Sequence, residues 1–181
     1  FMAGYLFNPG DLEPPLPRRD PVDDTFLFDQ GPTRGLSKIQ FADWLETYKR
    51  FEHVPNVAVF TEQAASLKDL LTTAPPDEHQ QKDLDYLLTL GELFSLIPYG
   101  QLILEQAELT ELATDTLDQI FDVFVRDFSA YAIELHGKNS ATAEQQDWAL
   151  RAVTKPATDE ARFEAVVEKV CALAGAYEMN P

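Results

Sequence analysis

At 181 residues the chain is long enough for one domain with a sizeable core, and its 14 basic against 31 acidic side chains leave a net charge of −17. That balance argues against a nucleic-acid partner, which needs a basic stripe, and against an anionic membrane surface. With one cysteine no internal disulfide can form; Cys171 lies in an apolar helical pattern and is expected to be a small core residue in a reducing, cytoplasmic setting.

The charge is uneven. Residues 77–136 carry 13 acidic and 2 basic side chains, so this third of the chain holds −11 of the −17. A solvated outer face is the simpler expectation, and a docking face for a basic partner is the alternative. The first residues lack a basic region followed by an apolar run, so no signal peptide is expected.

Residues 1–37 read as an extended arm. Prolines at 9, 14, 15, 17, 21 and 32 exclude a continuous helix. Tyr5, Leu6, Phe7, Phe26, Leu27 and Phe28 are too apolar to leave in water, so the arm is expected to pack them onto a helical body. Thr25–Asp29 suggests a short strand-like piece, followed by a turn cluster at residues 31–35.

The body, residues 38–181, reads as helices. Lys38 to Phe51 carries Phe41, Trp44, Leu45 and Tyr48 at three- and four-residue spacing, with Ser37 as cap. Pro55 ends it. Asn56 is expected to cap a second helix with Val57, Phe60, Ala64, Leu67, Leu70 and Leu71 inward. Pro75 and Pro76 close that helix.

The stretch Tyr86 to Leu104 is apolar on every face with Glu92 as its only charge, which marks a central bundle helix or a membrane span. Glu92, Pro98, Gly91, Gly100 and Gln101, with acidic flanks, favour the bundle. The helix is expected to start near Asp77, turn Leu84, Leu87, Leu88, Gly91, Phe94 and Leu102 toward the core, and kink at Pro98. Gly91 and Gly100 would let a neighbour approach closely.

Thr114 to Leu135 is the cleanest amphipathic pattern, with Leu117, Ile120, Phe121, Phe124, Val125, Phe128, Tyr131, Ala132 and Leu135 on one stripe. Asp115, Asp118, Asp122 and Asp127 lie off it. Gly137 to Asn139 stops the helix. Thr142 and Gln145 fit a capping box for a shorter one. Thr158 would cap a last helix with Phe163, Val167, Val170, Ala174 and Tyr177 inward. The sum is an all-α, antiparallel helical bundle with a Pro-rich, aromatic-containing N-terminal arm.

Motifs for chemistry are sparse. None of His53, His79 and His136 lies three residues after a glutamate, so no metal site is expected. Neither a nucleophile elbow nor a phosphate-binding glycine loop is present. Glu92 is the weak catalytic candidate. Buried without a cation it would have a raised pKa and could act as a general base. Paired with Arg34 or Lys38, or exposed, it would be inert. Glu92, Tyr99 and Gln101 are the pocket candidates beside the Pro98 kink. Alternatively, Tyr99 and Gln101 satisfy backbone groups that the proline frees.

Two stretches carry a family likeness. The segments Leu90-Gly-Glu-Leu-Phe-Ser-Leu-Ile-Pro-Tyr-Gly-Gln-Leu-Ile-Leu-Glu105 and Phe28-Asp-Gln-Gly-Pro-Thr-Arg-Gly-Leu-Ser-Lys-Ile39 resemble the C-terminal helical region of bacterial, actinobacterial-type acyl-CoA dehydrogenases. The likeness continues through Pro55 to Ala58 and Ala172 to Glu178. That family oxidises acyl-CoA thioesters, with a glutamate removing a proton and FAD accepting a hydride. The chain is too short for the whole enzyme and lacks the motif around the catalytic glutamate, so no flavin, CoA or catalytic residue carries over. The resemblance implies a C-terminal accessory helical domain with a structural, oligomerisation or docking role. It would hold no cofactor, and its partner would be a catalytic dehydrogenase region or its own copies. The alternative is a free-standing acidic helical module for an apolar ligand or a basic protein.

Overall fold

The computed structural model describes residues 2–10 and 41–176, and its described residues form seven α-helices. Thus α1 is Met2–Phe7, α2 Trp44–Arg50, α3 Pro55–Thr73, α4 Leu84–Thr110, α5 Thr114–His136, α6 Ala143–Ala152 and α7 Glu160–Ala172. The all-α bundle expected from the sequence is what forms. The arm boundary at residue 37, the Ser37 cap, Arg34, Lys38, the strand-like Thr25–Asp29 and Tyr177 all lie outside the described residues.

The hub is α5 rather than the apolar α4: it packs against α3, α4, α6 and α7. Cross-helix pairs give the directions. Asn56 meets Asp118 and Gln63 meets Ser129, so α3 and α5 run parallel. Asp85 meets Lys138 while Tyr99 meets Phe124, so α4 runs against α5. Trp148 bonds Ser66 and Gln145 bonds Ala74, so α6 runs against α3. The core is aromatic. Phe60 sits 5.7 Å from Phe121, 5.4 Å from Phe124 and 6.0 Å from Phe128, edge-on to each. Such edge-to-face contacts between rings suit their quadrupoles.

Several boundaries differ from expectation for local reasons. Although prolines exclude a long helix in the arm, Met2–Phe7 forms one short turn before Pro9, and Tyr5 and Leu6 bury onto the body. The second helix starts at Trp44, because the Asp43 carboxylate accepts from the Leu45 amide at 3.0 Å. Pro55 opens α3 as its first residue, where the missing amide costs nothing, and Val54 rather than Asn56 is the cap. Residues 77–83 form a 3₁₀ turn (Gln80–Lys82), and Asp83 caps α4 through the amides of Asp85 and Tyr86. The α6 capping box of Thr142 and Gln145 forms as expected. Asp159, not Thr158, caps α7.

Candidate functional site

Pro98 lies inside an unbroken α4. On the inner side of this turn, Tyr48 from α2 donates its hydroxyl to the Ile97 carbonyl at 2.7 Å. Gly100 makes that approach possible. A Cβ built there would fall within 3.0 Å of Tyr48 Oη and 3.3 Å from Phe121 Cε1. Gly91 is the opposite case: a Cβ there meets nothing within 4 Å. Only one of the two glycines expected to admit a neighbour does so.

Gln101 is buried beside this contact. It accepts from the Tyr5 hydroxyl of α1, and its amide donates to Glu105 Oε1 at 2.8 Å, which Thr47 also contacts. Burial, then the Glu105 and Asp43 carboxylates, push the Tyr5 phenol far up. Burial raises Tyr48 as well. Both phenols are therefore locked as neutral hydrogen-bond donors across the ordinary pH range. The network ties α1 and α2 to α4, and its polar groups are spent on one another.

Glu92, Tyr99 and Gln101 do not converge. Glu92 is exposed and interacts with the Tyr131 hydroxyl, whose pKa burial and the Glu92 charge raise. Tyr99 points outward, tilted against Phe124 at 5.5 Å. Gln101 points inward, since two residues on a helix are separated by about 200°. Gln101 bonds side chains of Tyr5 and Glu105 rather than backbone groups near Pro98.

A second polar cluster escaped the sequence reading. Asp118 and Asp122, placed off the apolar stripe of α5, are buried. Arg162 from α7 reaches both: it pairs with Asp118, lies 3.9 Å from Asp122, and donates to the Ala157 carbonyl at 3.0 Å. Asp122 also binds Arg126 at 2.6 Å. Asp118 accepts from the Asn56 amide at 2.7 Å, and the Asn56 side chain clasps the backbone of Ala157 in both directions. The cluster fastens the segment before α7 to α3 and α5. The buried atoms Arg162 Nε and Gln63 Oε1 have no partner among the described residues, and both are closed to solvent, so neither offers a ligand a contact. No group of three or more potential metal ligands occurs among the described residues.

Among the described residues, two apolar faces are exposed. On α4, Leu84 is 74% exposed, Leu88 69%, Tyr99 60% and Leu102 63%. With Gly91 and Ser95 they span an arc of roughly 80° on the helix. Leu84, Leu88 and Leu102 were expected in the core; the bundle covers only the opposite side, with Leu90, Leu93, Ile97 and Leu104. By length and composition α4 could cross a membrane, and half of its most apolar window is buried by the other helices. On α7, Phe163, Val167 and Val170 are exposed instead of inward. Arg162 and its ion pairs hold a different face of α7 against α5. Cys171 is exposed as well, not in the core.

Two cavities among the described residues are open grooves. One of about 660 Å³ lies between α3 and α6, and one of about 340 Å³ lies beside Asp122, Arg126 and Arg162. The pocket candidates from the sequence line neither. Compared with protein families, characterised proteins and solved structures, the chain matches none.

Proposed function

We propose that this chain is a helical docking domain that completes its own packing against another protein through the outer face of α4. The observation that carries this is the mismatch between sequence and burial on that helix. A helix apolar all round is stable in water only when covered all round, and the bundle covers one side. Exposed apolar patches of this kind mark interaction surfaces. Ser95 interrupts the face, Glu92 borders it, and acidic residues flank it, which suits a protein surface better than lipid. The family resemblance supplies the partner in this reading: the catalytic region of an acyl-CoA dehydrogenase, with the FAD held there. The described polar clusters fasten helices: the Asp122, Arg126 and Arg162 side chains that line the smaller groove are paired with one another.

The test uses an apolar dye such as anilinonaphthalene sulfonate. The dye should bind the purified chain, and adding the catalytic region of a dehydrogenase from the same genome should displace it. The double variant Leu88→Ser/Leu102→Ser should lose both effects and keep its helical circular dichroism. Dye binding that survives this variant and ignores the added protein would refute the docking reading. The chain alone should bind neither FAD nor acyl-CoA in calorimetry; saturable binding of either would refute the non-catalytic part.

A further inference from the structure

The groove between α3 and α6 has a composition unlike the α4 face. Its floor is apolar, formed by Leu70 and Trp148 with Ala152 beside them. Trp148 is held in place because its indole N–H donates to the Ser66 carbonyl at 2.9 Å. Its rim carries Asp69 from α3 and Glu144 and Asp147 from α6, against one cation, Arg151. All four are exposed, and among the described residues none takes part in an ion pair.

We propose that this groove docks a short basic, amphipathic segment of a partner protein. Charge complementarity selects the occupant. Three carboxylates on the rim, unpaired among the described residues, attract lysine or arginine, and the fixed apolar floor accepts one aliphatic side chain between them. An anionic or purely apolar segment would leave the carboxylates desolvated and unpaired. The volume, about 660 Å³, suits one turn or so of peptide laid along the groove. Docking here is independent of the α4 reading, since the groove lies between other helices.

The probe is a fluorescein-labelled amphipathic peptide of lysine, leucine and alanine, followed by fluorescence anisotropy. Saturable binding is expected, weakening as salt rises. Asp69→Asn/Asp147→Asn should weaken it roughly tenfold, from two lost rim pairs. Arg151→Ala removes the repelling cation and should tighten binding about threefold by the same arithmetic. The peptide with glutamate for lysine should not bind. Leu88→Ser/Leu102→Ser should leave binding unchanged, which separates failure here from failure of the α4 reading. Absence of binding would overturn the proposal. So would equal affinity for the charge-neutralised variants, or spermine displacing the peptide at matched charge, which would show bulk electrostatics without a site. If the double variant loses its helical spectrum, the Arg151→Ala result decides alone, and unchanged affinity there overturns the proposal.

Discussion

Gly100→Ala, made alone and with Tyr48→Phe, tests how α2 locks onto α4. Alanine is worth about 1 kcal/mol over glycine in a helix interior, so propensity predicts a more stable protein. The structure predicts the reverse. The new methyl would fall within 3.0 Å of the Tyr48 hydroxyl and 3.3 Å from the Tyr48 Cζ and Phe121 Cε1 atoms. Tyr48 is fully buried and bonded to the Ile97 carbonyl, so the hydroxyl has no room to swing away. Overpacking costs about 1–3 kcal/mol, and losing the hydroxyl's hydrogen bond adds about 1 kcal/mol. After the propensity gain the net destabilisation is about 2 kcal/mol. Tyr48→Phe alone removes one hydrogen bond, at about 1 kcal/mol. In the double variant the worst clash is gone, so the total should be near 1 kcal/mol, a coupling of about 2 kcal/mol. Urea unfolding followed by circular dichroism, with unchanged m, measures all four corners. Additive effects, or a Gly100→Ala protein more stable than the parent, would refute the reasoning.

Three further outcomes rest on ion pairs and buried phenols. Arg162→Leu leaves Asp118 and Asp122 buried without their shared cation and should cost about 3 kcal/mol, with faster amide exchange in α7; a change under about 0.5 kcal/mol would show that the ion pairs do not fasten that helix. The phenols of Tyr5, Tyr48 and Tyr86 are raised by burial, Tyr86 to about 12 from 10.0. Raised values favour the protonated form in the folded state, so their stability is intact below pH 10 and is lost above it. The decline should be at most about 1.4 kcal/mol per pH unit for each tyrosine, and flat stability from pH 10 to 12 would contradict it. Glu134 is held below its ordinary 4.5 by hydrogen bonds from Lys138 and Thr89. Its lowered value contributes stability above pH 4.5 that fades as pH falls through the folded value. The gap in urea midpoint between the parent and Glu134→Gln should therefore shrink below pH 4.5; a constant gap would remove Glu134 from the account.

What the sequence revealed and what it hid divide along physical lines. Helices α3 and α5 were legible because their apolar period coincides with the face they bury, and α6 because the Thr142–Gln145 box is local chemistry. On α4 and α7 periodicity showed which positions are apolar, but the outer arc of α4 and the stripe of Phe163, Val167 and Val170 carry no mark of being left uncovered. Burial of Asp118 and Asp122 depends on Arg162, some forty residues later, and no local pattern announces that meeting. Gly91 and Gly100 look alike in sequence. They differ because Tyr48 arrives at one and, among the described residues, nothing arrives at the other. The short α1 is too brief to show a period, and the prolines after it dominate the reading. The pocket candidates failed to converge because residues 99 and 101 of one helix face opposite ways.

The central claim is that the outer face of α4 docks a dehydrogenase catalytic region. A photo-crosslinking amino acid at Leu88 or Tyr99, introduced in the native host, tests it most directly, with exposed Glu62 on α3 as the control position. The account predicts one dominant adduct from the α4 positions, identified by mass spectrometry as the catalytic region of an acyl-CoA dehydrogenase, and none from Glu62. Equal adducts from all three positions, or none from Leu88 and Tyr99, would contradict it.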